Sequence, residues 1–333
     1  MNKFIKCLNN QEKDYIPIWF MRQAGRHLPE FRKIRKENPN FVNLCFNTKL
    51  CTEITLQPIS RYDLDAAIIF SDILLIPHVL GQNLEFKKNG PNLSSFSMSK
   101  LNLNDPKNFL SKLEPIYKSI TEVREKLNDN KAVIGFVGAP WTLIVYMLNL
   151  KDNNNLLVKK KYNRSQILEI KEILIRYICS HIKEQFESGA DVIQVFDSWS
   201  SLIPESDFED LSIKANLSIV EFCKENKIPV ICFPRGIKEK YKNFVDTVKP
   251  NCINIDYEVD PEWAYENLKD VSIQGGLNPN KLLLDTKVVI KEVEKYIKIF
   301  SNRPYIFNLG HGLLPKTNPE ILNKVIEKVR VNI

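Results

Sequence analysis

The residues best suited to chemistry lie between positions 17 and 32, in the segment PIWFMRQAGRHLPEFR. Three arginines, one amide and one glycine follow a short apolar run there: Arg22, Gln23, Gly25, Arg26 and Arg32. Arginine presents a permanently charged, planar set of donors that fits carboxylate or phosphate, and glycine lets the backbone approach a ligand. Small residues separate Arg22 from Arg26, so both guanidinium groups could converge on one anion. A solvated basic loop is the alternative.

A single acid, Asp72, interrupts the apolar run IIFSDILLIP. In a structural interpretation, Ser71 or Asp72 caps the helix that follows. In a functional one, a carboxylate in an apolar bowl lined by arginines attracts a group with several N–H donors, or stabilises a positive charge formed during a reaction. Asp197 and Ser198, in VFDSWSSL, allow the same two interpretations.

Two further side chains are candidates for a site. His311 lies between two glycines, and either forms a loop hydrogen bond or orients a substrate carboxylate. Tyr146, in PWTLIVYML, is either a core tyrosine or a hydroxyl that points into a bowl.

The chain has no GxGxxG after its first strand, and no GxxxxGK, HExxH or GxSxG motif, so nucleotide, zinc-protease and serine-hydrolase functions have no local support.

Composition is that of a globular protein of 333 residues, 44% hydrophobic and 26% charged. The net charge of +7 is spread along the whole chain, often beside acids, which argues against nucleic-acid binding. The amino-terminal residues are too polar for a signal peptide, and Asp72 interrupts the most apolar stretch, so we expect no membrane association.

Seven cysteines show neither a CxxC pair nor metal-ligand spacing. Their odd number and apolar surroundings favour reduced thiols in a cytoplasmic protein. One rim histidine and distant cysteines also do not assemble a metal site. A removed organelle presequence is the alternative to a cytoplasmic origin.

The elements that must position these residues alternate along the chain. Short β-branched runs predict eight strands, at 16–20, 66–70, 132–137, 192–196, 230–233, 252–255, 271–274 and 305–308. Amphipathic segments lie between them, such as 166–187. Strands that are apolar on both faces and alternate with helices pair in parallel, so we predict an α/β fold, a single-domain (β/α)8 TIM barrel over residues 1–333. Residues 84–99 suggest a hairpin or another excursion after the second strand, and 151–161 a flexible loop.

The ends of the predicted strands carry most of the candidate residues. They fall at 22–26, 71–72, 138–141, 197–199, 234–236, 256, 275–276 and 310–312. Chemistry in such barrels collects at the carboxyl ends of the strands. The sequence therefore predicts one site at this rim.

Six motifs together resemble the uroporphyrinogen decarboxylase family. They are MRQAGRHLPEFR, FSDILLIP, GFVGAPWTL, FDSW, FPRG and FNLGHGLLP, the last followed by Thr317, Pro319 and Glu320. The resemblance covers the chain from Pro17 to Glu320. Barrel architecture demands neither the first motif nor the third, so their joint occurrence in the same order is specific.

This resemblance implies a carboxy-lyase of porphyrin biosynthesis that removes the four acetate carboxyl groups of uroporphyrinogen III and gives coproporphyrinogen III. It also implies a homodimer with facing clefts and neither metal nor organic cofactor. The implied catalytic residues are Asp72, Arg22 and Tyr146. The implied substrate contacts are Arg22, Gln23, Ala24, Gly25, Arg26, Asp72, Tyr146, Ser198 and His311.

Some features depart from the family pattern, and two other functions stay open. His27 replaces a usual tyrosine, Gly276 and Asn278 lie in a segment that normally resembles GNLDP, and KDNNN replaces a glycine-rich stretch after Tyr146. A zinc-dependent corrinoid or thiol methyltransferase of the same barrel superfamily would need a His-x-Cys triplet, which the chain lacks. A non-catalytic tetrapyrrole carrier would not need Asp72.

Overall fold

The computed structural model describes residues 2–87, 90–103 and 105–331. The strands are β1 (Ala66–Ile68), β2 (Leu84–Lys87), β3 (Gly90–Leu93), β4 (Ala132–Gly138), β5 (Val192–Asp197), β6 (Val230–Pro234), β7 (Cys252–Ile255), β8 (Ser272–Gly275) and β9 (Tyr305–Ile306). The helices are α1 (Lys3–Leu8), α2 (Pro29–Glu37), α3 (Phe41–Cys45), α4 (Thr48–Arg61), α5 (Leu75–Val79), α6 (Pro106–Lys126), α7 (Pro140–Met147), α8 (Arg164–Glu187), α9 (Lys214–Glu225), α10 (Lys240–Val248), α11 (Pro261–Asn267), α12 (Thr286–Ile299) and α13 (Pro319–Val331).

Seven of these strands form one curled parallel sheet in the order β1-β4-β5-β6-β7-β8-β9. Helices separate consecutive strands, as the alternation of apolar runs and amphipathic segments predicts. The amphipathic segment 166–187 corresponds to α8, which begins two residues earlier. This arrangement confirms the predicted α/β barrel fold, with its helices packed outside the sheet.

The first predicted strand, at 16–20, forms only a short bridge, which corrects the prediction of eight regular strands. Asp65 N–H donates to the Ile18 carbonyl beside β1 (2.9 Å), and Phe307 N–H donates to the Pro17 carbonyl beside β9 (2.8 Å), so the segment joins both edges of the sheet. Side chains take the place of further ladder bonds, because the Asp65 carboxylate accepts from Ile18 N–H (2.6 Å). Pro17 has no N–H to donate.

The barrel interior is closed at the amino ends of the strands by α1. Phe4 and Leu8 are fully buried in the same apolar cluster as inward-facing strand residues such as Ile134 and Ile306. The Ser272 hydroxyl, at the start of β8, donates to the backbone carbonyl of Cys7 (2.5 Å). The opposite end of the barrel is therefore the one open to a ligand.

Two predicted excursions also appear. Strands β2 and β3 pair antiparallel, which confirms the hairpin within 84–99, although its tip at 88–89 lies outside the described residues. Residues 151–161 form a loop with one isolated bridge between Lys151 and Leu157 and a short 3₁₀ turn, and this loop leads from α7 towards α8.

A candidate active site at the carboxyl ends of the strands

Arg22 is held in a tight loop at the carboxyl end of the barrel. It adopts φ of +64°, an uncommon conformation for a residue with a side chain. A Cβ added to Gly25 would come within 2.7 Å of the Arg22 carbonyl oxygen, and one added to Gly312 within 2.3 Å of Arg22 Cδ. Both glycines therefore leave room for Arg22, and Gly312 brings the loop that carries His311 against it.

Gln23 stabilises this loop with its side chain. Its Oε1 accepts from Phe20 N–H (3.0 Å) and its Nε2 donates to the Ala66 carbonyl on β1 (3.0 Å). The side chain is fully buried. We therefore assign Gln23 to positioning Arg22, while the substrate contact expected of it stays a prediction.

A cluster of positive groups surrounds Arg22. The guanidinium is exposed to solvent, but nearby protein atoms lower its pKa, and the charges of Arg26 and Arg235 lower it further. Burial lowers the pKa of His311 to about 3, and Arg235 and Arg22 add to the shift. His311 is therefore neutral without ligand, and its buried Nδ1 has no hydrogen-bond partner among the described residues. Such a cluster favours an anionic ligand.

Asp72 is the carboxylate that faces this cluster. Its Oδ1 accepts from Leu74 N–H at 2.8 Å in the turn before α5, but the N-cap of α5 is Leu74 and no side chain caps it, so the capping interpretation is wrong. Burial raises the pKa of Asp72 from 3.8 to about 6, while the Leu74 N–H and the Arg22 charge oppose the shift. Asp72 is thus ionised at neutral pH, in a site that makes its charge costly.

Tyr146 contacts the same group of charges from α7. Burial raises the pKa of its hydroxyl, the indole N–H of Trp199 lowers it, and the charges of Asp72 and Arg22 act on it in opposite directions. Its ring meets Trp199 edge-on, with centroids 6.1 Å apart. The structure therefore brings Arg22, Asp72 and Tyr146 together, as expected from three separate parts of the sequence.

Asp197 and Ser198, at the end of β5, occupy different environments. Asp197 is almost completely buried and its Oδ1 accepts from the Thr142 hydroxyl at 2.6 Å, so it braces α7 against β5. Burial raises its pKa to about 6. Ser198 lies in the turn after β5 and is partly exposed. Asp197 thus acts inside the protein, whereas Ser198 is accessible.

Aromatic side chains form the floor of the cleft. Phe136 and Phe196 project into the barrel from β4 and β5, remain partly exposed, and contact edge-on at 5.7 Å between centroids. Phe233, the register partner of Phe196 on β6, packs edge-on against it (6.4 Å between centroids). We did not single these residues out in the sequence, although inward-facing aromatics near strand ends signal an apolar floor.

Arg235 is a further site residue that the sequence analysis did not single out, although it lies in the predicted rim segment 234–236. It follows β6 in the FPRG motif, and its backbone N–H donates to the Asp197 carbonyl (3.1 Å). Its charge acts on both Arg22 and His311. A lone basic residue directly after a barrel strand was the available signal.

The described residues contain no group of three or more His, Cys, Asp or Glu side chains arranged to hold a metal ion. Cys232 and Cys252, which lie in two of the predicted strands, are buried, and burial raises both thiol pKa values well above the usual range. Cys252 also begins β7, at the end of the barrel away from Arg22. The absence of a metal from the reaction stays a prediction.

A surface groove of about 810 Å³ lies elsewhere, on the outside of the barrel between α2, α4 and α6. It is lined by acids and bases such as Glu53, Glu122 and Lys126, and contains none of the candidate residues. The convergence of charges at the carboxyl ends of the strands, and not groove volume, locates the site.

Within the described residues, no helix has both the length and the apolar character needed to cross a bilayer.

These features define a (β/α)8-type barrel with a cationic cleft around one acid. A family model described as uroporphyrinogen decarboxylase (URO-D) matches residues 1–331. A uroporphyrinogen decarboxylase of Rickettsia felis is 40% identical over 325 residues, covering 95% of this chain and 93% of the relative. One from Orientia tsutsugamushi is 39% identical over 337 residues and covers 98% of each. The chain belongs to the uroporphyrinogen decarboxylase family.

Solved structures support the fold alone. A methyltransferase from Methanosarcina mazei superposes with a TM-score of 0.81 over 99% of this chain and 97% of that one, at 13% identity. At such low identity the likeness establishes a shared barrel and carries no information about the reaction.

Proposed function

We propose that this protein decarboxylates the four acetate side chains of uroporphyrinogen III to give coproporphyrinogen III, as its family membership implies. The observation that carries the proposal is the position of Asp72, a lone carboxylate acting electrostatically on Arg22 and Tyr146 in a cleft whose other charges are positive. Such a cleft suits a molecule with a central set of N–H donors and a periphery of carboxylates.

Substrate binding would use both the positively charged groups and the apolar floor of the cleft. Arg22, Arg26 and Arg235 supply charge-assisted hydrogen bonds to the peripheral carboxylates. His311 offers a buried nitrogen without a partner, and a nearby substrate carboxylate would raise its pKa from the low value that the arginines impose. Phe136 and Phe196 give the flat macrocycle an apolar floor. Ser198, Ala24 and Gly25 complete the proposed contacts.

Asp72 would bind the four pyrrole N–H groups, because its Oδ2 is left for a ligand when Oδ1 accepts from Leu74. Protonation of a pyrrole carbon next to an acetate arm gives an iminium-like ring. The C–C bond to the carboxylate then breaks and carbon dioxide leaves. The electron pair of that bond moves into the ring. A second proton at the exocyclic carbon, and loss of the first, leaves a methyl group. The negative charge of Asp72 stabilises the cationic ring.

The substrate supplies the electron sink in this scheme, so the reaction as written uses no cofactor. The proton donor is Arg22, Tyr146 or a bound water. Nearby protein atoms lower the pKa of Arg22 and burial raises that of Tyr146, and an arginine remains a weak acid even so. We therefore place Arg22 first as a carboxylate ligand and keep Tyr146 as a catalytic candidate.

Anaerobic incubation with uroporphyrinogen III tests the function. Chromatography of the oxidised products should show stepwise loss of four carboxyl groups, with no requirement for added metal. Unchanged uroporphyrinogen, with binding retained, would support the tetrapyrrole carrier instead. Metal analysis of the same sample that found stoichiometric zinc would support the methyltransferase alternative.

The single domain over residues 1–333, the cytoplasmic location and the homodimer with facing clefts remain proposals. Leu283, Leu284 and Val288 support the dimer, because they follow the carboxyl end of β8 and are 44%, 51% and 42% exposed. A second copy that packed on this apolar surface would lie beside the cleft. Sedimentation analysis at micromolar concentration distinguishes dimer from monomer.

A further inference from the structure

Trp199 has an unusually well-fixed backbone at the edge of the cleft. Its N–H donates to the Thr142 hydroxyl oxygen (3.1 Å), and its carbonyl accepts from the Trp141 indole (2.8 Å). Thr142 in turn donates its hydroxyl proton to the buried Asp197 (2.6 Å). Two residues of α7 therefore hold Trp199 on both sides of its own backbone.

The indole of Trp199 is oriented towards Tyr146. The two rings meet edge-on, at 68° and 6.1 Å between centroids. On the face of the Trp199 ring, Lys151 Nζ lies 4.8 Å from the centroid. Indole Nε1 is buried, and among the described residues it has no partner that meets hydrogen-bonding geometry. A buried donor without a partner in a rigid setting requires an explanation.

Donor and acceptor chemistry supplies that explanation. An indole N–H can only donate, whereas a tyrosine oxygen can accept one bond while it donates its own proton. The Trp199 N–H already lowers the pKa of the Tyr146 hydroxyl, which sets the two groups side by side. When the indole donates to the hydroxyl oxygen, the tyrosine proton must point away from Trp199, towards the cleft that contains Asp72 and Arg22.

We propose that Trp199 is a positioning residue, whose indole N–H bonds the Tyr146 hydroxyl and directs the tyrosine proton towards the bound substrate. This inference rests on the function proposed above. Asp197 and Thr142 fix Trp199, Trp199 orients Tyr146, and Tyr146 contacts the reacting ring. The buried Asp197 thereby influences the reaction without touching the substrate.

A double-mutant cycle in the full-length protein tests the proposal. Trp199→Phe keeps an aromatic ring against Tyr146 but removes the N–H, and should lower kcat about fivefold with little change in KM, the loss expected for one neutral hydrogen bond. In a Tyr146→Phe background the same change should alter kcat by less than about twofold, because no hydroxyl remains to be oriented. Equal losses in both backgrounds would overturn the proposal and indicate a direct contact with substrate or a packing role.

A second variant covers failure of Trp199→Phe to fold. Site-specific replacement of Trp199 by benzothienylalanine keeps the shape of the indole and exchanges N–H for sulfur. It should reproduce the fivefold loss while the melting temperature is retained, and full activity would overturn the proposal. Wild-type turnover of uroporphyrinogen is measured first in the same assay, so that absence of activity refutes the proposed function and not the role of Trp199.

Discussion

The two ends of the barrel differ in how their polar atoms are used. At the amino end, α1 places apolar side chains between the strands, and the Cys7 carbonyl accepts from the Ser272 hydroxyl. At the carboxyl end, His311 Nδ1, Trp199 Nε1 and Asp197 Oδ2 are all buried without a partner in the described part of the chain. Polar atoms left unsatisfied in a native fold lower its stability, so these three cost stability at the end that carries the candidate site.

The same contrast appears in the charges. Burial raises the pKa of Asp72, and Arg22 and His311 have lowered pKa values. In each group the charged form is therefore less favourable than it would be in water. The amino end should contribute stability and the carboxyl end should contribute turnover, and substitutions at each end can separate the two quantities.

The largest effect on turnover is expected from Asp72→Asn. The amide still accepts from Leu74 N–H but carries no negative charge, so kcat for uroporphyrinogen should fall by about 100-fold or more, the range for loss of an electrostatic stabiliser. Wild-type kcat/KM should also fall as the pH drops below about 6, where Asp72 of the free protein takes up its proton. Steady-state assays across this pH range provide the measurement.

Stability should change in the opposite direction in the same variant. Because the folded-state pKa is raised from 3.8 to about 6, the contribution of Asp72 to stability is present below pH 4 and is lost as the pH rises through 6. Asp72→Asn should therefore melt at the same temperature as the wild type or higher at pH 8, with the difference shrinking below pH 4. A lower melting temperature at pH 8 would show that the charge stabilises the fold.

The next largest effect is expected from Gly312→Ala. Gly312 has φ outside the left-handed region, so alanine fits the backbone, but its Cβ would lie 2.3 Å from Arg22 Cδ. Displacement of the guanidinium should lower kcat/KM about tenfold, the loss typical of one charged hydrogen bond. In an Arg22→Ala background, where the side chain is already absent, Gly312→Ala should have almost no further effect. A similar loss in both backgrounds would mean that the methyl group disturbs something other than Arg22.

Prediction from sequence succeeded where the hydrophobic pattern of a strand and the position of a polar residue after it indicate the same end of the barrel. Apolar β-branched runs located the strands, and Arg22, Asp72 and Tyr146 lie in the loops and the helix that follow the carboxyl ends of those strands. The strand at 16–20 was predicted wrongly as a regular one because the Asp65 and Gln23 side chains, distant in sequence or beyond the run, take its N–H groups. No local sequence pattern shows that side chains will take the place of the backbone hydrogen bonds between strands.

Other features depended on packing that the sequence does not encode locally. The six residues of α1 are too few to show periodicity, and their burial follows only once the strands form an open end to fill. Arg235 lies in the predicted rim segment 234–236 and in the FPRG motif, but only the folded barrel shows that its charge acts on Arg22 and His311. Gln23 resembled a ligand-binding amide, whereas the fold uses both of its polar atoms internally.

The smallest effect on turnover is expected at the amino end, from Leu8→Ala. The side chain is fully buried among inward-facing strand residues, so its truncation should lower the free energy of unfolding by about 2–5 kcal/mol. Denaturant titration measures this loss, and Lys6→Ala, on the exposed face of the same helix, is the matched control with little expected change. Turnover well below the melting transition should equal that of the wild type, because α1 closes the amino end of the barrel, opposite Arg22, Asp72 and Tyr146. A reduced kcat in fully folded Leu8→Ala protein would show that the two ends are coupled through the barrel interior and that stability and turnover are not separable in this fold.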